Sequence, residues 1–249
     1  MLRSIQDMFG CSVTCPDGEL GKVDQIYFDV HSWRARYLVV DTSAWGYGQK
    51  IWVPPCCIHQ IDFDSSVVKL NLEQQKMLGS PAIDTLKPIS RFQEAKLVNY
   101  YGCKPYWEEV HANGASQCRS GAINPAAVVE PETRERMTLH TNAVNIKVHL
   151  LSTKQAGGYT IEAVDGPIGQ IRDFVFDDET WLIRYLTIDT HGWWQSKSEV
   201  LLSTESVDSI DSAASTISTT LSREAIQQSP VYLDDVPLRR MYETQLHKA

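Results

Sequence analysis

Residues 17–42 read DGELGKVDQIYFDVHSWRARYLVVDT, and residues 165–190 read DGPIGQIRDFVFDDETWLIRYLTIDT. The stretches align without a gap at an offset of 148 and share 11 of 26 positions. The shared pairs are Asp17/Asp165, Gly18/Gly166, Gly21/Gly169, Phe28/Phe176, Asp29/Asp177, Trp33/Trp181, Arg36/Arg184, Tyr37/Tyr185, Leu38/Leu186, Asp41/Asp189 and Thr42/Thr190. Unrelated segments would share roughly one or two, so the chain carries an internal duplication, and that decides its architecture. The Asp-Gly pair predicts a hairpin turn, because Gly tolerates positive φ and Asp bonds its own backbone. Val23 to Phe28 follows, rich in β-branched and aromatic residues. After a polar break, Arg36 to Val40 and Arg184 to Ile188 resume as strands, which makes each copy a β-meander. Trp33 and Trp181 stand at the start of the third strand, where a large ring can cover an open barrel end.

The repeat continues beyond this stretch. Upstream, Leu2, Ser4, Gly10 and Val13 align with Leu150, Ser152, Gly158 and Ile161. Past Trp45/Trp193 the second copy gains one residue, and Ile61, Asp62, Leu72 and Ser80-Pro81 meet Ile210, Asp211, Leu221 and Ser229-Pro230. The chain therefore divides into repeat 1 over 1–101, a linker over 102–149 and repeat 2 over 150–249. Five or six short strands per copy, without helices between them, predict a small β-barrel that removes exposed edges by closure. A short helix follows, with Asn71 expected as N-cap before Leu72 to Leu78 and Thr220 before Leu221 to Gln228. A second helix is expected over Ile89 to Asn99, with Ile89, Phe92 and Leu97 on its apolar side, and its counterpart from Leu238 onward. The fold class is mainly β with short helices: two tandem small barrels, each followed by helical segments.

Composition narrows the partners. The 249 residues are 43% hydrophobic and 22% charged, which is globular. The net charge of −8 repels phosphate backbones, and no local basic patch offsets it, so no nucleic acid is expected. No apolar run approaches the ~18 residues of a membrane-spanning helix, and the first ten residues lack a signal-peptide core. A cytoplasmic protein with six reduced cysteines is the expectation.

The DG-x-x-G turn, the run FVFDDETW at Phe174 to Trp181 and the Arg-Tyr-Leu-x-x-Asp-Thr strand in both copies resemble the PRC-barrel family. That family includes the cytoplasmic domain of the photosynthetic reaction-centre H subunit and the C-terminal domain of a ribosome-maturation factor. Tyr100-Tyr101-Gly102 followed by Tyr106-Trp107 is similar to the tail of stand-alone bacterial proteins with two such domains. The resemblance covers nearly 200 of the 249 residues. It implies small barrels used as protein–protein interaction modules, with no shared catalytic set.

The residues themselves agree on the lack of obvious chemistry. No His and no Cys is kept in both copies of the motif, and there is no Walker loop, G-x-G-x-x-G, G-x-S-x-G or H-E-x-x-H. Arg36 and Arg184 are expected to pair with a cross-strand Asp such as Asp29 or Asp177. Asp41-Thr42 and Asp189-Thr190 are expected to cap strand ends. The sequence predicts a non-catalytic adaptor for protein partners, with no cofactor, no metal and homo-oligomerisation left open. The expected partner-binding residues are loop aromatics after the shared Asp-Thr: Trp45, Tyr47, Trp193 and Trp194. The alternative is a ligand or metal sensor built on Cys11, Cys15, Cys56 and Cys57.

Overall fold

The computed structural model describes residues 1–84, 88–107, 149–191 and 199–229. The fold is mainly β: two seven-stranded sheets with a few short helices. The first copy contributes β1 (Leu2–Ser4), β2 (Ser12–Cys15), β3 (Gly18–Asp29), β4 (Arg34–Asp41), β5 (Lys50–Val53), β6 (Ile58–Asp62) and β7 (Val67–Leu70). Helices α1 (Gln74–Leu78) and α2 (Arg91–Tyr101) follow. The second copy contributes β8 (Leu150–Ser152), a one-turn helix α3 (Thr153–Ala156), β9 (Thr160–Ala163), β10 (Gly166–Asp177), β11 (Ile183–Asp189), β12 (Glu199–Ser203), β13 (Val207–Asp211), β14 (Thr216–Thr219) and α4 (Arg223–Gln227).

The strand orders are the same in both copies, β5-β4-β3-β2-β7-β6 and β12-β11-β10-β9-β14-β13, with β2·β7 and β9·β14 parallel. The bulges repeat too. The β3–β4 ladder slips between Val23 and Gln25 and between Tyr27 and Phe28, and the β10–β11 ladder slips at the equivalent positions. Bulges bend and twist a strand, so the duplicated sequence specifies a duplicated curvature. Each pairing path is open among the described residues, with β5 and β6, or β12 and β13, at its ends.

Glycine at two shared positions has a steric reason. A Cβ on Gly21 would lie 2.3 Å from the Asp41 carbonyl oxygen, and one on Gly169 2.1 Å from that of Asp189, both far inside van der Waals contact. The shared Asp of the turn serves a helix: Asp17 Oδ1 accepts from Gln74 N at 2.9 Å and Asp165 Oδ1 from Arg223 N at 2.8 Å. The caps expected at Asn71 and Thr220 are therefore corrected. Helix α1 starts two residues later than expected, and the Asn71 amide donates instead to Cys56 O. Ser222 caps α4. Helix α2 opens with a capping box, Ser90 and Gln93. Its Leu97 is buried, but Phe92 is 69% exposed and not an apolar contact.

The two copies are not separate beads. Strand β1 of the first copy pairs with β10 of the second, Leu2 opposite Asp177 and Ser4 opposite Val175. Reciprocally, β8 of the second copy pairs with β3 of the first, Leu150 opposite Asp29 and Ser152 opposite Tyr27. The reason lies in strand length. Strand β3 has 12 residues, and β2 covers its edge only from Gly18 to Lys22. The edge from Tyr27 to Asp29 would be left bare, and β8 covers it. A single apolar core runs through both copies, with Phe28 and Phe174 ring centroids 5.6 Å apart. On the other face of the first sheet, Tyr27, Tyr37, Val39 and Trp52 are covered by Ile83, Ile89 and Leu97.

Candidate functional site

The shared tryptophans build the join between the copies. Both have left-handed backbone, Trp33 at φ 53° and Trp181 at φ 61°. That conformation turns each carbonyl toward the other copy: Ala35 N donates to Trp181 O at 2.8 Å, and Ile183 N donates to Trp33 O at 2.7 Å. Each ring packs on its own copy's phenylalanine, Trp33 on Phe28 at 5.3 Å and Trp181 on Phe176 at 5.7 Å. The backbone of the two tryptophans thus forms the seam, while the rings stay on their own copies.

Two clefts flank the seam, and the repeat relates them. One, of ≈ 420 Å³, is lined by Arg36, Tyr37, Pro55, Cys56 and the other copy's Thr180 and Trp181. The second, of ≈ 340 Å³, is lined by the equivalents Arg184, Tyr185, Thr204 and Glu205 with Ser32 and Trp33. Arg36 pairs with Asp29 at 3.7 Å, as expected from the sequence. In the second copy, burial pulls the Asp177 carboxyl up, and the backbone N–H groups of Thr180 and Glu179, then the N-terminal and Arg184 charges, hold it below its usual range. The Nε–H of both arginines is buried without a hydrogen-bond partner among the described residues.

The first cleft holds an aromatic of its own chain. Tyr106 lies under the Arg36 guanidinium at 3.8 Å, and its hydroxyl donates to Glu94 Oε1 at 2.8 Å. Glu94 is fully buried on α2. Its other oxygen takes Arg91 Nη1 at 2.7 Å, and Tyr37 also hydrogen-bonds to it. Burial raises the Glu94 carboxyl above its usual range although Arg91, Tyr106 and Tyr37 all favour its charge. The same burial, reinforced by the Glu94 charge, pushes the Tyr37 and Tyr106 hydroxyls up. These phenols are donors at neutral pH, so the network is satisfied. Arg91 also lies over the Trp107 ring at 4.5 Å. Sequence reasoning placed Tyr106 and Trp107 in the linker. Their packing on Arg36 and Arg91 carried no periodic signal and was visible only as an aromatic pair.

The expected site residues fall elsewhere. Trp45 is half-buried in the turn Ser43–Trp45, and Tyr47 is 46% exposed; neither lines either of the two seam clefts. Trp193 and Trp194 lie outside the described residues. The expected strand-end caps are present: Ser43 N donates to Asp41 Oδ1 at 2.8 Å and His191 N to Asp189 Oδ1 at 2.9 Å.

The cysteine expectations need correction. Cys56 and Cys103 form a disulfide, with Cα atoms 6.4 Å apart, so the six are not all free thiols. Neither residue has a cysteine counterpart in the repeat, so the duplication gave no sign of the bond. Cys11, Cys15 and Cys57 are free and buried, and Cys118 lies outside the described residues. The four thiols of the sensor alternative do not assemble. Cys56 and Cys57 gather with Cys103, while Cys11 donates to Asp7 O at 3.0 Å. Burial pushes the Cys57 thiol up to about 12, and burial with the Asp17 charge pushes Cys15 up to about 11.

No family model matches the chain, and a search of curated proteins finds no match. No helix among the described residues is long and apolar enough to cross a membrane.

Proposed function

We propose that the chain is a non-catalytic adaptor, two PRC-barrel-like modules that present paired clefts to protein partners. The supporting observation is the first cleft and its contents. A tyrosine stacks on Arg36 and passes its hydroxyl to a buried carboxylate, which is the kind of anchor an interface uses. The equivalent cleft keeps the shared Arg184, Tyr185 and Trp33, has Thr204 and Glu205 where the first has Pro55 and Cys56, and no ring lies over the Arg184 guanidinium among the described residues. A partner segment carrying an aromatic residue beside a carboxylate fits it. The loop aromatics Trp45 and Tyr47, and in the second copy Trp193 and Trp194, are the second candidate surface of the same function.

The test is site-specific photo-cross-linking in the native cells. A cross-linker at Glu205 reports on the second cleft, and one at Tyr47 reports on the loop; both positions are exposed. A discrete cross-linked protein at Glu205, lost on Arg184→Glu with unchanged melting, supports docking in the cleft. Cross-links at Tyr47 alone move the interface to the loops. No discrete adduct from either position overturns the adaptor reading.

A further inference from the structure

Three sulfurs converge at the rim of the first cleft. Cys56 and Cys57 occupy the short turn Pro55–Cys57 between β5 and β6. Cys103 follows α2, whose chain reverses through Gly102 at φ 69° so that Cys103 N returns to Val98 O at 3.0 Å. The turn and the helix end bring all three Sγ atoms within 4.8 Å of one another. Two of them share the disulfide. The third, Cys57, sits 4.0 Å from Cys56 Sγ and is 2% exposed. A disulfide has no need of a third thiol beside it, and the simplest use of Cys57 is as a small apolar core residue.

The spacing supports more than that. Thiolates bound to one metal at about 2.3 Å stand about 3.8–4.0 Å apart in tetrahedral or trigonal geometry. The Cys56–Cys57 separation already has that value. The group contains no His and no carboxylate among the described residues, so it offers three soft ligands and no fourth. Soft thiolates select copper(I), zinc or iron–sulfur chemistry, and three ligands without a fourth match a trigonal ion better than a tetrahedral one. Arg34, Arg36 and Lys104 line the same cleft as Cys56 and Cys103 and supply positive charge against the thiolates.

We infer that Cys56, Cys57 and Cys103, once reduced, form a three-thiolate site for a soft three-coordinate cation, copper(I). The disulfide described above is then the oxidised, metal-free form of the site. Opening it takes two electrons and two protons from a dithiol of the thioredoxin class, which becomes a disulfide as the Cys56–Cys103 bond becomes two thiols. The metal then displaces three thiol protons. The inference is independent of the adaptor reading, since it concerns the rim of the first cleft and not what docks in the second.

The experiment uses the full chain, reduced anaerobically, with copper(I) supplied through a coloured chelator that competes for it. One copper(I) per chain should leave the chelator, and Cys57→Ser or Cys103→Ser should lower the affinity at least 100-fold. The oxidised protein should take up none at this site. Because Cys57 is buried, its variant is also melted in the oxidised form, where an intact transition shows that lost binding is not lost folding. Should Cys57→Ser misfold, Cys56→Ser and Cys103→Ser decide the matter alone. Full retention of copper(I) by the variants overturns the site. Zinc uptake with the same cysteine dependence and no copper(I) uptake overturns the three-coordinate assignment.

Discussion

Arg34 and Leu182 form a single antiparallel bridge at the seam, and each occupies the other's position in the repeat. An element can meet its own equivalent in this way only at a twofold axis. The flanking bonds obey the same relation, since Ala35 and Ile183 are counterparts and so are Trp33 and Trp181. The exchanged strands β1 and β8 obey it as well. The chain contains, within one polypeptide, the interface of a symmetric dimer.

The symmetry supplies its own control for one buried acid. Ser152 Oγ donates to Gln25 Oε1 at 2.5 Å across the seam. At the equivalent place Ser4 Oγ donates to Asp173, so a carboxyl stands where the other copy has a neutral amide. Desolvation raises the Asp173 pKa to about 6, outweighing the hydrogen bonds from Ser4, Phe174 and Gln6. A carboxyl with a raised folded pKa favours the folded state fully below its unfolded value near 3.8, and that advantage is lost as pH rises through about 6. Asp173→Asn should therefore add stability on the order of 1–3 kcal/mol at pH 7.5, seen as a higher melting temperature, and the difference from wild type should shrink toward pH 4. Paired melting curves at the two pH values check this. A constant difference would show that Asp173 is not the titrating group.

Gly21 and Gly169 are held by close approach to the neighbouring strand. Gly21→Ala and Gly169→Ala should each destabilise by about 1–3 kcal/mol, because the backbone carbonyl in the way cannot rotate aside as a side chain can. Chemical denaturation of the single variants measures the loss. Wild-type midpoints in both would mean that the β3–β4 and β10–β11 ladders relax.

Tyr106 has two separable contributions. Tyr106→Phe keeps the stack on Arg36 and removes the donor to Glu94, at a cost of about 1–3 kcal/mol for a buried charged acceptor left short of a partner. Tyr106→Leu removes both and should cost more. Repeating the pair in a Glu94→Gln background should shrink both losses by the hydroxyl's share and leave the difference between the Phe and Leu variants unchanged. Equal losses in both backgrounds would show that the hydroxyl and Glu94 are not coupled.

The Cys56–Cys103 bond closes a loop whose ends are 47 residues apart. In the chain-entropy account such a loop contributes about 2–4 kcal/mol. A reductant should lower the melting temperature of wild type and leave Cys56→Ser, Cys103→Ser unmoved. Identical shifts in both proteins would place the redox sensitivity elsewhere.

Strands, turns and the duplication were legible because they rest on local signals. The Asp-Gly turn, the β-branched run to Phe28 and the shared strand at Arg36 to Val40 each carry their own pattern. The strand exchange was not, because Leu2–Ser4 and Leu150–Ser152 are three residues each, and nothing within three residues says which sheet they complete. The sequence marks the turn aspartates only as turn formers, since the helix ends they cap lie 57 and 58 residues away. The residues that build the first cleft come from β4, the turn after β5, α2, the segment beyond it and the second copy's Thr180 and Trp181. Arg36 carried the repeat's mark, and Tyr106 and Cys103 carried none. Comparison of the copies finds what both need and passes over what one acquired.

The exchange of β1 and β8 has a consequence for the halves. A polypeptide holding one copy alone is a hook joined to an eye: it offers a strand that nothing in it receives and an edge that nothing in it fills. Two such halves can close on each other as a ring of two, or continue head to tail without end. Joining both copies in one chain makes the closed ring unimolecular, so the closure no longer depends on concentration.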